Sequence, residues 1–157
     1  TSAVPNIVGL GAACELAYGD STHDQVRTLR DRFEDEILAR VPNARLNGTS
    51  NREKRLPNTS NISFAYVEGE NILQYLDREG ICVSTGSACH STTRESSPTL
   101  RAMKVPYALA QGAIRFSLGR YNTADEIDTT LAVLHKVIPQ LVAMSPYEKE
   151  LRAMGAA

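Results

Sequence analysis

The stretch VSTGSACHSTTRESSP, residues 83–98, places Cys89 among small polar residues. Ser87 and Ala88 precede it, and His90, Ser91, Thr92 and Thr93 follow. Such a segment has almost nothing to pack, so its thiol stays accessible. Accessible thiols invite oxidation and forgo burial, and usually have a use. On spacing alone Cys89 is either a reactive nucleophile or an incidental loop residue. His90 is a poor partner for it, because adjacent side chains in extended chain point to opposite sides. Thiol–imidazole pairs are built from distant positions. Cys82, inside the apolar GICV, reads as a packed small residue, as does Cys14 on a helical pattern.

Arg115 is the second residue with chemical potential. It lies in AIRFSLG, where Ile114, Phe116 and Leu118 alternate with Arg115 and Ser117. That period puts the arginine on the face opposite the apolar residues. A partly buried arginine there needs an anion, and its planar fork suits a carboxylate held by two bonds. An internal salt bridge with one of the 18 acidic residues serves equally well. Arg120, just past the strand, reads as structural.

The elements that must carry these residues follow from hydrophobic period. Residues 5–18 form a helix opened by Pro5, with Ile7, Leu10, Cys14 and Ala17 inward. Residues 22–41 form a second, with Val26, Leu29, Phe33, Ile37 and Val41 on its stripe. Arg27, Arg30, Glu34 and Glu36 read as its solvated face. A short strand is expected at 45–47. In SNISFAYV a strand buries Ile62, Phe64 and Tyr66. EGENILQYLDREG is a helix ended by Gly80, and ICVST a short buried strand. A short helix is expected near 100–103. TADE is a capping box, Thr123 to Glu126, ahead of a helix that Pro139 should kink or end. The order is α+β, with helices packed on a small sheet.

Composition narrows the functional classes. The 157 residues make one domain able to bury a core. A formal charge of −1 gives no field to attract nucleic acid or an anionic membrane. No apolar run approaches the ~20 residues of a membrane span. The start, TSAVPNIVGL, lacks the basic region of a signal peptide. Three cysteines without such a signal point to reduced thiols in a cytoplasmic protein. No metal site built by this chain alone is expected.

Taken together, PNIVGLGAACELA, LPNTSNISFAYVEGE, STGSAC, LRAM and IRFSLGRYNTADEID resemble, in order and spacing, the C-terminal part of NifS/IscS-type cysteine desulfurases. The resemblance runs nearly end to end. It implies the small domain of a fold-type-I pyridoxal-phosphate enzyme, with helices on one face of a small, mainly antiparallel sheet. Residues 1–157 would be that domain, and the cofactor-binding large domain would lie outside the chain.

By position, the resemblance makes Cys89 the nucleophile that takes sulfur from L-cysteine as a persulfide, leaving L-alanine. It makes Arg115 the holder of the substrate α-carboxylate. It makes Thr1 the threonine that reaches the cofactor phosphate of the neighbouring subunit, hence a homodimer. The long loop around Cys89 resembles the class serving Fe–S assembly, with a scaffold or other sulfur acceptor as partner. Cys89 would touch metal only as a transient Fe–S ligand through its persulfide. The family's Cys-Thr-Ser is here Cys89-His90-Ser91, and its Glu-Pro-Ser is Glu95-Ser96-Ser97. Of Lys54, Lys104, Lys136 and Lys149, none matches the Schiff-base lysine. The alternative to a desulfurase segment is a non-catalytic interaction or sulfur-carrier domain.

Overall fold

The computed structural model describes residues 1–85 and 97–146. In chain order these form α1 (Val4–Tyr18), α2 (Thr22–Arg40), β1 (Ala44–Leu46), a 3-10 turn (Arg52–Lys54), β2 (Thr59–Phe64) and α3 (Gly69–Arg78). There follow β3 (Ser84–Thr85), α4 (Pro98–Ala102), α5 (Tyr107–Ala110), β4 (Ala113–Ser117) and α6 (Ala124–Met144). The strands make one antiparallel sheet in the order β1-β2-β4-β3.

Alternation along the strands gives the sheet two unlike faces. Ile62, Phe64, Ile114 and Phe116 point to one side and are buried. The stripe of α2, Ile72 and Leu76 of α3, and Ile127, Leu131, Leu134 and Ile138 of α6 close over them. Each such fully buried side chain contributes roughly 1.5–3 kcal/mol. Phe33 of α2 meets Phe116 of β4 with ring centroids 4.7 Å apart and tilted by 57°, a favoured aromatic geometry. The opposite face carries Asn61, Ser63, Ala113 and Arg115. One end of it is covered by a small cluster of Leu100, Val105, Ala110 and Ala113 from the α4–α5 region.

The turn after β2 is bound to the lead-in of β4. Phe64 donates its N–H to the Gly112 carbonyl at 3.0 Å, and Gly69 donates to the Gln111 carbonyl at 2.9 Å. A Cβ on Gly112 would lie 2.0 Å from the Phe64 oxygen and 2.5 Å from the Val67 oxygen. Only glycine permits this approach.

The capping box of α6 forms as expected. Thr123 Oγ1 accepts from the Glu126 N–H, and the Glu126 carboxylate accepts from the Thr123 N–H. α3 gives way, past Glu79, to Gly80 at φ +75°. β1 sits one residue earlier than its pattern suggested.

Several expectations are corrected. Arg30 and Glu34 are fully buried rather than solvated. The segment around 52–56 folds back over α2 and supplies a partner to each, with Asp31 of α2 as a second partner of Arg30. The Arg30 Nε donates to Asp31 at 2.7 Å, and its Nη1 donates to the Leu56 carbonyl at 2.9 Å. Arg55 donates to both carboxylate oxygens of Glu34.

Helix α1 forms, but none of its residues is buried, so Ile7, Leu10, Cys14 and Ala17 find no cover among the described residues. Cys82 is exposed, because only Ser84 and Thr85 of ICVST join the sheet. Tyr66 leaves the β2 line at φ 62° in the turn that Gly112 pins. Pro139 does not end α6, which runs on to Met144. The proline is on the exposed side, while Val137, Ile138 and Leu141 hold the helix to the core.

Candidate functional site

The open face of the sheet holds a polar row that crosses all four strands. Arg115 of β4 is paired in register with Asn61 of β2 on one side and Ser84 of β3 on the other. Asn47, just past β1, continues the row, donating its N–H to the Asn61 carbonyl at 2.9 Å. The order across the sheet is Asn47, Asn61, Arg115, Ser84.

Arg115 is exposed, not partly buried, and forms no ion pair among the described residues. The internal salt bridge that the sequence left open is therefore not seen. Asn61 and Asn47 had no role in the sequence reading. The signal was there: asparagine is depleted in strands, yet it stands inside SNIS. Asn47 is 7% exposed. Its Nδ2 donates to Asn61 Oδ1 and to Ser63 Oγ, both at 2.7 Å. Ser84 donates its hydroxyl to the Thr85 carbonyl at 3.2 Å.

The remaining candidates are spread out. Thr1 is exposed, three residues ahead of α1. Cys89 and His90 lie outside the described residues. The strand that leads toward them, β3, is hydrogen-bonded to β4 beside Arg115. Arg120 pairs with Asp20 at 3.3 Å, in keeping with a structural role. The Asp20 carboxyl is held below its ordinary value mainly by hydrogen bonding to Thr22, with Arg120 adding to the effect.

A groove of about 370 Å³ opens at the β1 edge, lined by Arg45, Asn47, Thr49, Met103 and Lys104 among others. It is separated from Arg115 by the width of β2. Among the described residues no His, Cys, Asp and Glu side chains gather in threes to hold a metal. No helix among them is long and apolar enough to cross a membrane.

The sheet thus has one helix-covered face and, on the other, a cation with no ion pair among the described residues. The chain belongs to the aminotransferase class-V family, whose pattern matches residues 1–130. Within that family it is similar to cysteine desulfurases. That of Cereibacter sphaeroides is 55% identical over 150 residues, which is 96% of this chain and 38% of the relative. Cysteine desulfurase IscS of Dictyoglomus turgidum is 48% identical over 152 residues, again 96% of this chain and 38% of the relative. A solved NifS-like protein superposes with a TM-score of 0.74 at 31% identity, covering 90% of this chain and 35% of its own. The chain thus spans well under half the length of the relatives it matches.

Proposed function

We propose that this segment is the substrate-clamping and sulfur-accepting part of a pyridoxal-phosphate-dependent cysteine desulfurase. The carrying observation is the position of Arg115: an exposed guanidinium with no ion pair among the described residues, on the strand next to the one that leads to Cys89. A carboxylate from outside the chain is its natural partner. The span from Thr85 to Cys89 is four residues, at most about 14 Å when extended. The thiol is therefore tethered to the edge strand that pairs with the clamp's own strand.

Arg115 binds the α-carboxylate of L-cysteine and orients its side chain. The Cys89 thiolate attacks the substrate sulfur, forming the new S–S bond as the substrate's Cβ–S bond breaks. The electron pair of that bond remains with the carbon skeleton, which takes up protons and leaves as L-alanine. The persulfide then passes to an acceptor protein, such as an Fe–S scaffold, and a short tether to a rigid sheet lets one thiol serve both stations. Pyridoxal phosphate, when bound, supplies the electron sink that makes the Cβ–S bond labile.

The described residues fit the substrate end of such a site and not the Schiff base. Lys54 is on the 3-10 turn, Lys136 faces outward from α6, and Lys104 lines the groove at the β1 edge. None stands on the polar row with Arg115. A lysine from another part of the full-length protein would hold the cofactor, with Thr1 reaching its phosphate across a homodimer. The wholly exposed α1, with Ile7, Val8 and Leu10 each at least 60% accessible, favours a segment of a larger enzyme over a free-standing carrier.

The test is Cys89→Ser in the full-length protein. It should abolish alanine production from L-cysteine while L-alanine still binds. Retained turnover would refute the assignment of Cys89.

A further inference from the structure

We infer that Asn61 is a second donor to the substrate carboxylate, beside Arg115, and that Asn47 holds it in that role. The inference rests on the reading of Arg115 as the carboxylate clamp. An asparagine amide has one acceptor end and one donor end. The acceptor end of Asn61 is already used: Oδ1 receives the Asn47 Nδ2 at 2.7 Å. Asn47 cannot easily turn away, because it is buried and its Nδ2 is also bonded to the buried Ser63 hydroxyl at 2.7 Å.

The relay therefore fixes which way the Asn61 amide faces. Its oxygen is directed to the β1 side of the sheet. Its Nδ2 is left for the other side, where the register places Arg115. That nitrogen has no partner among the described residues.

Two donor groups now stand next to each other on the row. A guanidinium has five N–H donors and no acceptor, so Asn61 Nδ2 and Arg115 cannot satisfy one another. Arg115 is exposed and Asn61 half-buried, so water serves these donors in the free protein, and an anion that displaces it can take hydrogen bonds from both. A carboxylate has about four lone-pair sites. Two would take the arginine fork, and a third would take the Asn61 N–H. The uncharged donor strengthens the clamp, and fixes the carboxylate along the row, without adding a second cation beside the reacting amine.

The experiment uses the full-length, cofactor-loaded enzyme with Asn61→Ala, Asn61→Asp, Asn47→Ala and Arg115→Ala. Steady-state kinetics with L-cysteine are measured beside equilibrium titrations with L-alanine and with ethylamine, which has the amine but no carboxylate. Loss of one hydrogen bond to a charged group predicts a rise of about tenfold in KM and in the L-alanine Kd for Asn61→Ala. The ethylamine Kd should not move. Asn61→Asp should be worse than Asn61→Ala, because a carboxylate then faces the substrate's. Asn47→Ala should show a smaller rise with the same selectivity.

Equal weakening of both ligands would reduce Asn61 to a structural residue and overturn the inference. So would an unchanged L-alanine Kd in Asn61→Ala alongside a weakened one in Arg115→Ala. Tight L-alanine binding in Asn61→Asp would mean that the Asn61 oxygen orients Arg115 instead, and would also overturn it. If Arg115→Ala itself leaves L-alanine binding unchanged, the clamp reading fails first.

Discussion

Arg55 and Glu34 form a two-bond ion pair, at 2.8 and 2.5 Å, in which the Glu34 side chain has no exposed surface. This pair ties the segment that precedes β2 to the middle of α2. Removing one partner strands the other charge in the interior, a loss of about 3–5 kcal/mol. Arg55→Ala should therefore lower the urea midpoint strongly. Replacing both residues, as Glu34→Leu with Arg55→Met, should recover most of that loss. A double variant as unstable as the single one would mean that the segment is held by something other than charge pairing.

Gly112→Ala places a methyl group against two backbone oxygens that belong to a hydrogen-bonded turn. Neither oxygen can rotate away as a side chain would. Destabilisation of roughly 3 kcal/mol or more is expected, the range of severe backbone clashes. Gly9→Ala is the control, since a Cβ there meets nothing within 4 Å. Its melting temperature should match or exceed that of the parent.

The Glu126 carboxyl is held below its ordinary 4.5, first by the Asn122 amide and then by the Thr123 N–H. A lowered carboxyl pKa in the folded state stabilises the protein fully above the unfolded value. The contribution fades as pH falls through the folded value. Denaturation curves at pH 6 and pH 3 should thus differ less for Glu126→Gln than for the parent. Equal acid sensitivity in both would remove the capping box from the explanation.

In the full-length enzyme, Arg115→Ala should raise KM for L-cysteine roughly hundredfold, the loss of a two-bond charged contact. Arg115→Lys should recover part of this, because a lysine keeps the charge and loses the fork. Identical KM values for the lysine variant and the parent would argue against a bidentate clamp.

Residues 1–157 alone, mixed with pyridoxal phosphate and L-cysteine, should form no alanine above the level of the free cofactor. None of the three described lysines stands on the polar row. Turnover above that background would show that a lysine of this segment can serve the cofactor.

Local period was enough to determine most elements of this chain. The stripes of α2 and α6, the alternation in β4 and the Thr123–Glu126 box each depend on neighbours a few residues apart. Their hydrogen bonds and side-chain spacing are set within one element, so the sequence carries them openly. The same alternation placed Arg115 opposite the core face.

Tertiary structure decided what those elements meet. Arg30 and Glu34 have the pattern of a solvated helix face. They are buried because residues 52–56, some twenty positions on, return with the matching groups. Cys82 and α1 failed in the other direction. Their apolar neighbours suggest burial, but burial needs a covering surface, and the described residues supply none there. The row Asn47, Asn61, Arg115 and Ser84 also exists only across strands. Residues 47 and 115 stand on one row but are far apart in sequence, and only the register of the sheet brings them into line.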